Sequence, residues 1–527
     1  MKHDRLSCIA AAGVLVVLAA STTAHAQSVD AETVVIGLPQ DITDLNPLNS
    51  IEIFDQTIVG QNMYDMHFET DRDTFDKIPH VFTEWSSNED ATEWTVKIRD
   101  DITFHNGDKL TAEDVKFSIE YMLSPESGLS YAYEWDRVKD IEVVGPYEFK
   151  LHSDVPIPAQ MTISELFVIP KNYYEEVGAE GFAEAPIGSG PYKFVEWRRG
   201  ESLEMVANED YWGGVPTIKR IIFRVLPDET SRGSAYRAGE LDIATDISLE
   251  QYLEINAMDD PALGTIAVDQ GRVYVILDTH RPPFDDVRVR KAFNHAIDMD
   301  TIIEELLGGL ATRTAAILGP TEWGHNPDLV PYEYDPEKAR QLLAEAGYPD
   351  GVDIQFWARS GFVAIDQVAQ AIKSYLDAAG FRTDLSVMNR ADLQKIFEDA
   401  RDQMVDNVPL PIVAEATATS WGGNPVGIGI EWYQARATCD PERFNYPWGG
   451  YSCHPETARL EEEAYELWAK DFDAAERKVM EMERNTYETA GFGFGYMTPR
   501  IWGKDKRLNF VLTPFVSLNM FHASWQQ

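Results

Sequence analysis

Alternating apolar and polar runs, interrupted by stretches of helical spacing, mark a mixed α/β chain. Val34–Leu38 is a short apolar run and predicts the first strand. Gln56–Met66 has helical spacing, with Val59, Met63 and Met66 on one side. Trp94–Ile98 (WTVKI) alternates as a half-buried strand does, and Phe104–Asp108 (FHNGD) is a hairpin-type turn. Thr111, Glu113 and Asp114 open a helix: Thr111 suits an N-cap, and the acids suit the positive end of the helix dipole. Val115, Ile119 and Met122 then form its inner stripe. Tyr147–His152, Leu166–Ile169, Ile218–Leu226 and Val273–Leu277 predict strands. Ser231–Ala238, stopped by Gly239, and Val287–Ile297 predict helices.

The second half repeats the pattern more clearly. Asp335-Pro336 is a cap followed by proline at the first helical position. Ala339, Leu342, Leu343 and Ala346 follow at i, i+3, i+4, i+7, and Gly347 ends the helix. Asp353–Trp357 predicts a strand. Ile365, Val368, Ala369, Ile372, Leu376 and Ala379 mark a long helix stopped at Gly380, and Thr383–Met388 a second strand. This β–α–β order predicts a parallel pair covered by helices. Pro455–Ala490 predicts two helices, and Phe492–Met497 and Asn509–Thr513 late strands. Between the halves, Pro186–Gly214 (PIGSGPYKFVEWRRGESLEMVANEDYWGG) has glycine-rich turns at both ends and reads as a seam between two regions.

At 527 residues and 44% hydrophobic content the chain exceeds what one core organises, so two or more lobes are expected. Its first 26 residues read as an export signal: Lys2 and Arg5, the apolar run Cys8–Ala20, then Ala24-His25-Ala26 as a cleavage site. Cys8 begins that run, whereas a lipid-attachment cysteine would follow it. The expected mature protein is periplasmic, with cleavage after Ala26.

Composition narrows the partners. With 45 basic and 88 acidic residues the net charge is −43, which argues against nucleic acid and anionic lipid. It reflects either solubility or a bias toward neutral or cationic ligands. Two cysteines, Cys439 and Cys453, survive cleavage; in an oxidising compartment they invite a disulfide across a short loop, contributing about 3 kcal/mol.

The chain shows no GxSxG elbow, no phosphate loop and no HExxH. Gly491-Phe492-Gly493-Phe494-Gly495 follows a helix rather than preceding one. It therefore reads as a strand packed against another backbone, not a nucleotide loop. Aromatic supply is large: 13 Trp, 22 Tyr and 24 Phe. Trp323, Trp421, Trp432, Trp448 and Trp502 fall in apparent loops, most beside glycines, where flat rings either anchor a loop or stack on a ligand.

Four segments carry a family resemblance: Trp94–Met122; Gly188-Ser189-Gly190-Pro191-Tyr192-Lys193-Phe194 with Asn208-Glu209-Asp210-Tyr211-Trp212; Ala238-Gly239-Glu240-Leu241-Asp242; and Pro283–Phe293 running on to Ala296-Ile297-Asp298. They resemble the large solute-binding proteins of ABC transporters that include the oligopeptide-, dipeptide- and nickel-binding proteins. The resemblance implies a two-lobed periplasmic-binding-protein fold of α/β class with an extra domain inserted in the first lobe. On this chain lobe I would be 28–75, 190–288 and 498–527, the inserted domain 76–189, and lobe II 289–497.

The same resemblance implies lobe closure on a solute and delivery to permease subunits by a monomer, with no catalytic residues and no cofactor. Peptide-binding relatives pair a Trp with an acid that takes the peptide's α-amine. The matching stretch here, Ser420-Trp421-Gly422-Gly423-Asn424-Pro425, keeps the Trp and lacks the Asp. This favours solutes without a free α-amine, such as an oligosaccharide or an opine. Candidate contacts are Trp421, Gly422, Asn424, Trp357, Arg359, Tyr64, Trp323, Trp432 and Trp502; Arg359 would meet a carboxylate or stand at the surface. Two other readings are a metal or metal-chelate carrier, as some relatives are, and a secreted hydrolase using paired carboxylates.

Overall fold

The computed structural model describes residues 32–49, 54–70, 77–125, 127, 135, 137–157, 166–279, 281–320, 322–360, 363–389, 392–393, 395, 454–512 and 518–526. In chain order the strands that build its main sheets are β1 (Thr33–Leu38), β2 (Phe82–Ser87), β3 (Glu93–Ile98), β4 (Asp140–Gly145), β5 (Glu148–His152), β6 (Tyr192–Arg198) and β7 (Ser202–Ala207). They continue with β8 (Arg220–Val225), β9 (Ile243–Ala244), β10 (Thr265–Ile276), β11 (Thr312–Arg313), β12 (Val352–Arg359), β13 (Phe381–Met388) and β14 (Phe492–Lys504). The helices are α1 (Ala112–Leu123), α2 (Lys171–Glu184), α3 (Glu229–Arg237), α4 (Leu249–Asn256), α5 (Val287–Ala296), α6 (Met299–Leu307), α7 (Pro336–Glu345), α8 (Ile365–Ala378), α9 (Pro455–Trp468) and α10 (Phe472–Glu488).

Among the described residues the largest sheet has eight strands in the order β10-β14-β9-β1-β8-β7-β6, with β11 pairing on β14. β1 runs parallel to both β8 and β9. A second, antiparallel sheet has the order β2-β3-β5-β4. β12 and β13 pair in parallel, from Val352 opposite Phe381 to Arg359 opposite Met388. The helix between them, α8, buries Ile365, Val368, Ala369, Ile372 and Leu376, the stripe its spacing predicts. At the start of α7 the Asp335 carboxylate accepts from the Lys338 N–H at 2.9 Å. At the start of α1 the Thr111 N–H donates to Asp114 at 2.8 Å, closing a capping box.

Burial separates the molecule into bodies. A first apolar cluster gathers β1 to β8 and the C-terminal segment, including Ile36, Val96, Phe149, Phe223 and Leu518. A second and a third gather the elements from β10 to β14, including Phe293, Phe356 and Leu376, then Trp323, Trp468 and Val479. Two long strands change cores midway. On β10, Ile266 and Val268 pack against the first cluster while Val273 and Val275 sit in the second. On β14, Trp502 belongs to the first and Tyr496 to the second. Between the halves of β10 the register shifts at Asp269–Gly271, a β-bulge. Both strands thus cross from one apolar cluster into another.

The seam at Pro186–Gly214 is built by close approach. A Cβ on Gly188 would lie 1.8 Å from the Met63 carbonyl oxygen, and the Gly190 N–H donates to that same oxygen at 2.9 Å. β6 and β7 then form its hairpin. Its aromatics are structural: Tyr192 donates to the carbonyls of Ile218 and Met520, while Tyr211 and Trp212 donate to Asp65 at 2.8 and 3.2 Å. His80 Nε2 meets the same carboxylate at 2.9 Å, with Glu69 3.6 Å from its other nitrogen. The GFGFG stretch is likewise backbone against backbone, since a Cβ on Gly495 would lie 2.0 Å from the Val273 carbonyl oxygen.

Several expectations are corrected. Leu166–Ile169 makes only an isolated bridge, Phe167 to Met66, and all four residues are fully buried; its apolar run is a core-lining segment, not a strand. The helix expected over Gln56–Met66 is a π-helical turn, Asp55–Gly60, followed by Gln61–Met63, and ends where Tyr64 turns extended. Of the strand expected over Asn509–Thr513, whose Thr513 lies outside the described residues, the structure forms the two-residue pair Leu508–Asn509 against Ser524–Trp525. β10 and β14 extend well beyond Val273–Leu277 and Phe492–Met497 because their polar positions cross between lobes. Helices α2, α4 and α6 had no sequence-level expectation. In α2 only Phe182 is fully buried, with Tyr173, Tyr174 and Val177 half-buried against the first cluster. Trp135 is buried in the first cluster.

Candidate ligand cleft

Beside the strand crossover lies a cleft of about 1150 Å³. Pro39 at the end of β1, the segment from Asp246 into α4, and residues 498–501 of β14 line one side. Glu305 and Leu306 at the end of α6 and residues 363, 364 and 367 around the start of α8 line the other. Gly271, in the bulge of β10, reaches the cleft floor. The volume matches or exceeds the roughly 300–1,000 Å³ that encloses a drug-sized ligand.

Asp246 is the most tightly built residue of that wall. Its φ of 50° is unusual for a residue with a Cβ and lets the chain turn from β9 into α4. Arg232, itself buried, anchors the turn by donating to the carbonyls of Thr245 and Asp246 at 2.6 and 2.5 Å. The Asp246 carboxylate accepts both arms of Arg500, with Nη2 at 2.8 Å, and the Trp502 indole N–H at 3.3 Å. Burial opposes its ionisation, but Arg500, with Arg232 and the Trp502 N–H behind it, holds the carboxyl below the usual range. Arg500 also lies 5.1 Å from the centroid of the Phe54 ring. Ser248 caps α4 through a capping box with Gln251.

The lining is acidic. Glu229, Asp246, Glu250, Glu254 and Glu305 face it, and Arg500 is the only basic side chain among its described residues. Arg500 is neutralised by Asp246, and Glu254 by Arg237 at 2.6 Å. Three carboxylates therefore remain to set the local potential.

Behind the crossover a second pair is nearly dry. Arg272, on β10, donates to Glu322, the two side chains being 4% and 9% exposed. Glu322 also accepts the Gly319 N–H at 2.6 Å. Neither this pair nor the Asp246–Arg500 pair stood out in the sequence, where acids are everywhere. The usable signal was a lone arginine inside each apolar crossover strand.

The expected site residues scatter. Trp502 is fully buried, stacked on Phe510 at 6.5 Å, and reaches the cleft only through Asp246. Tyr64 is 2% exposed and donates its hydroxyl to the Leu45 carbonyl at 3.0 Å; burial pushes its pKa up. Trp323 is 9% exposed and stacks on Trp468 and Phe472, with centroids at 6.4 and 5.0 Å. Trp357 is half-buried against the same cluster, and Arg359 half-buried at the end of β12. Trp421, Gly422, Asn424, Trp432 and Trp448, with Cys439 and Cys453, lie outside the described residues. Among the described residues no group of three or more His, Cys, Asp or Glu is placed to hold a metal ion.

Comparison with known proteins gives the family. The model for bacterial extracellular solute-binding proteins, family 5 Middle, matches residues 77–425. Heme-binding protein A of Haemophilus influenzae is 28% identical over 365 residues, spanning 64% of this chain and 66%, just under two thirds, of its own. Glutathione-binding protein GsiB of Pectobacterium atrosepticum is 28% identical over 392 residues, 72% of this chain and 73% of its own. The structure of HbpA2 from Haemophilus parasuis superposes with a TM-score of 0.80 at 22% identity, covering 94% of this chain and all of that one, and shares the fold. The crossover, the cleft beside it and the family match agree: the chain belongs to the bacterial extracellular solute-binding proteins of family 5, substrate-binding components of ABC importers.

Proposed function

We propose that this protein captures a neutral or cationic organic solute in the acidic cleft, closes its lobes over it and presents it to permease subunits. The carrying observation is that cleft, beside strands that pass from one core to the other. Hinge closure needs two packed bodies and a connection between them, and strands that run from one apolar cluster into another support that reading. We keep the lobe I, inserted-domain and lobe II boundaries set out from the sequence, with export by the leader, a monomeric state and a binding rather than catalytic role.

The acidic lining bears on the peptide question. The relatives named for heme and for glutathione show that likeness to them does not fix the solute. Trp421, with Gly422 and Asn424, remains a proposed contact although no acid follows it. Glu250 and Glu305 offer carboxylates elsewhere for a ligand amine. A peptide-like or other amine-bearing solute is thus compatible with this chain.

A thermal-shift screen against matched sets of cationic, neutral and anionic solutes tests the reading. A ligand at about 100 times its dissociation constant adds about 2.7 kcal/mol to stability. Stabilisation should come from the cationic or neutral set and leave the solute chemically unchanged. Stabilisation by anionic solutes alone, or by none, would overturn it.

A further inference from the structure

The two bodies touch away from the crossover. Arg137 belongs to the first: Trp135 beside it is 2% exposed in the first cluster, Val138 packs on that cluster, and the Lys139 N–H donates to the His152 carbonyl at 2.8 Å on the way into β4. Tyr465 belongs to the other: it stands on α9, packs on the third cluster and meets Trp468 edge-on at 5.8 Å. The Arg137 guanidinium lies over the Tyr465 ring, 3.9 Å from its centroid. One turn on, Ala469 packs against the first cluster.

This contact belongs to neither core. From Tyr465 a chain of rings continues through Trp468 to Trp323, whose neighbour Glu322 pairs with Arg272 on the crossover strand β10. The contact is therefore coupled by packed groups to the strand that must bend when the lobes move. An interaction between groups on different bodies is made when they approach and lost when they separate.

We propose that Arg137 and Tyr465 form a closure latch: a cation–π contact that favours the closed arrangement without touching the solute. This rests on the lobe-closing reading above. Both groups are half-buried, and a contact of this kind shifts the closed-to-open ratio by roughly two- to fivefold.

The test is single-molecule energy transfer on the full mature chain without added solute. Dyes go on non-canonical amino acids at the exposed positions Glu89 and Asp473, one on each body. Arg137→Gln and Tyr465→Leu should each lower the closed-to-open ratio two- to fivefold, with Arg137→Gln, which leaves the third cluster intact, doing so at unchanged melting temperature. Tyr465→Phe, which keeps the ring face, should behave as the wild type. The double variant should fall no further than either single one, because both remove the same contact. If closed and open populations are seen but none of these changes moves their ratio, the latch is wrong and closure stands. If Tyr465→Phe shifts it as far as Tyr465→Leu, the ring face is not the latch. A single population in every variant would overturn both.

Discussion

His80 offers the sharpest test of how the seam is held. Its ring sits between Asp65 at 2.9 Å and Glu69 at 3.6 Å, edge-on to Trp212 at 4.9 Å. Tyr211 and Trp212 donate to the same Asp65, and His522 lies 3.5 Å from Glu69. Burial alone would depress the His80 pKa; hydrogen bonds and charge from Asp65 and Glu69 outweigh it and raise the value to about 9. The unfolded value is about 6.5. Because the folded value is the higher one, this stabilisation is fully present below pH 6.5 and is lost as pH rises toward 9. The difference corresponds to about 3 kcal/mol. Urea denaturation of the wild type and of His80→Gln at pH 6 and pH 9.5 measures it. The variant should be about 3 kcal/mol less stable at pH 6, and the gap should shrink to about 1 kcal/mol or less at pH 9.5. The same gap at both pH values would show that His80 is not charged in the fold and refute the reasoning.

Four further outcomes follow from the geometry. Gly495→Ala should cost about 3 kcal/mol or more in denaturant unfolding, since its Cβ would collide with the Val273 carbonyl. Gly145→Ala, with nothing within 4 Å, should stay within about 0.5 kcal/mol. Glu322→Gln leaves Arg272 charged and buried and should cost about 3–5 kcal/mol, most of it recovered in the Arg272→Met, Glu322→Leu double variant, as read by melting temperature. Asp246→Asn removes half of what Arg500 pairs with and should lower stability by about 1–3 kcal/mol, while weakening solute binding by calorimetry; unchanged values on both counts would remove Asp246 from the wall's framework.

Much of the fold was legible because burial writes a period into the chain. The β12-α8-β13 unit followed from Ile365, Val368, Ala369, Ile372 and Leu376, which all face the core. The capped start of α7 followed from Asp335-Pro336. What failed did so for physical reasons. Leu166–Ile169 is apolar because it is wholly buried, and burial alone does not tell strand from lining segment. The outer parts of β10 and β14 carry Asp269, Arg272 and Arg500, charges that local pattern reads as loop. Their partners lie far along the chain, the Thr312 hydroxyl for Asp269, Glu322 for Arg272 and Asp246 for Arg500. The cleft was less legible than the fold. Its wall is set by Asp246 and Arg500, 254 positions apart, and no local motif announces such a pair. Tryptophans were the natural candidates from the sequence, but Trp323 and Trp502 share their rings with other aromatics in packed cores.

Small-angle X-ray scattering of the purified mature protein, with and without the solute that gives the largest thermal shift, tests the central claim most directly. Two bodies joined by β10 and β14 and closing over the cleft require the radius of gyration to fall on saturation. A radius unchanged at full occupancy would contradict capture by lobe closure.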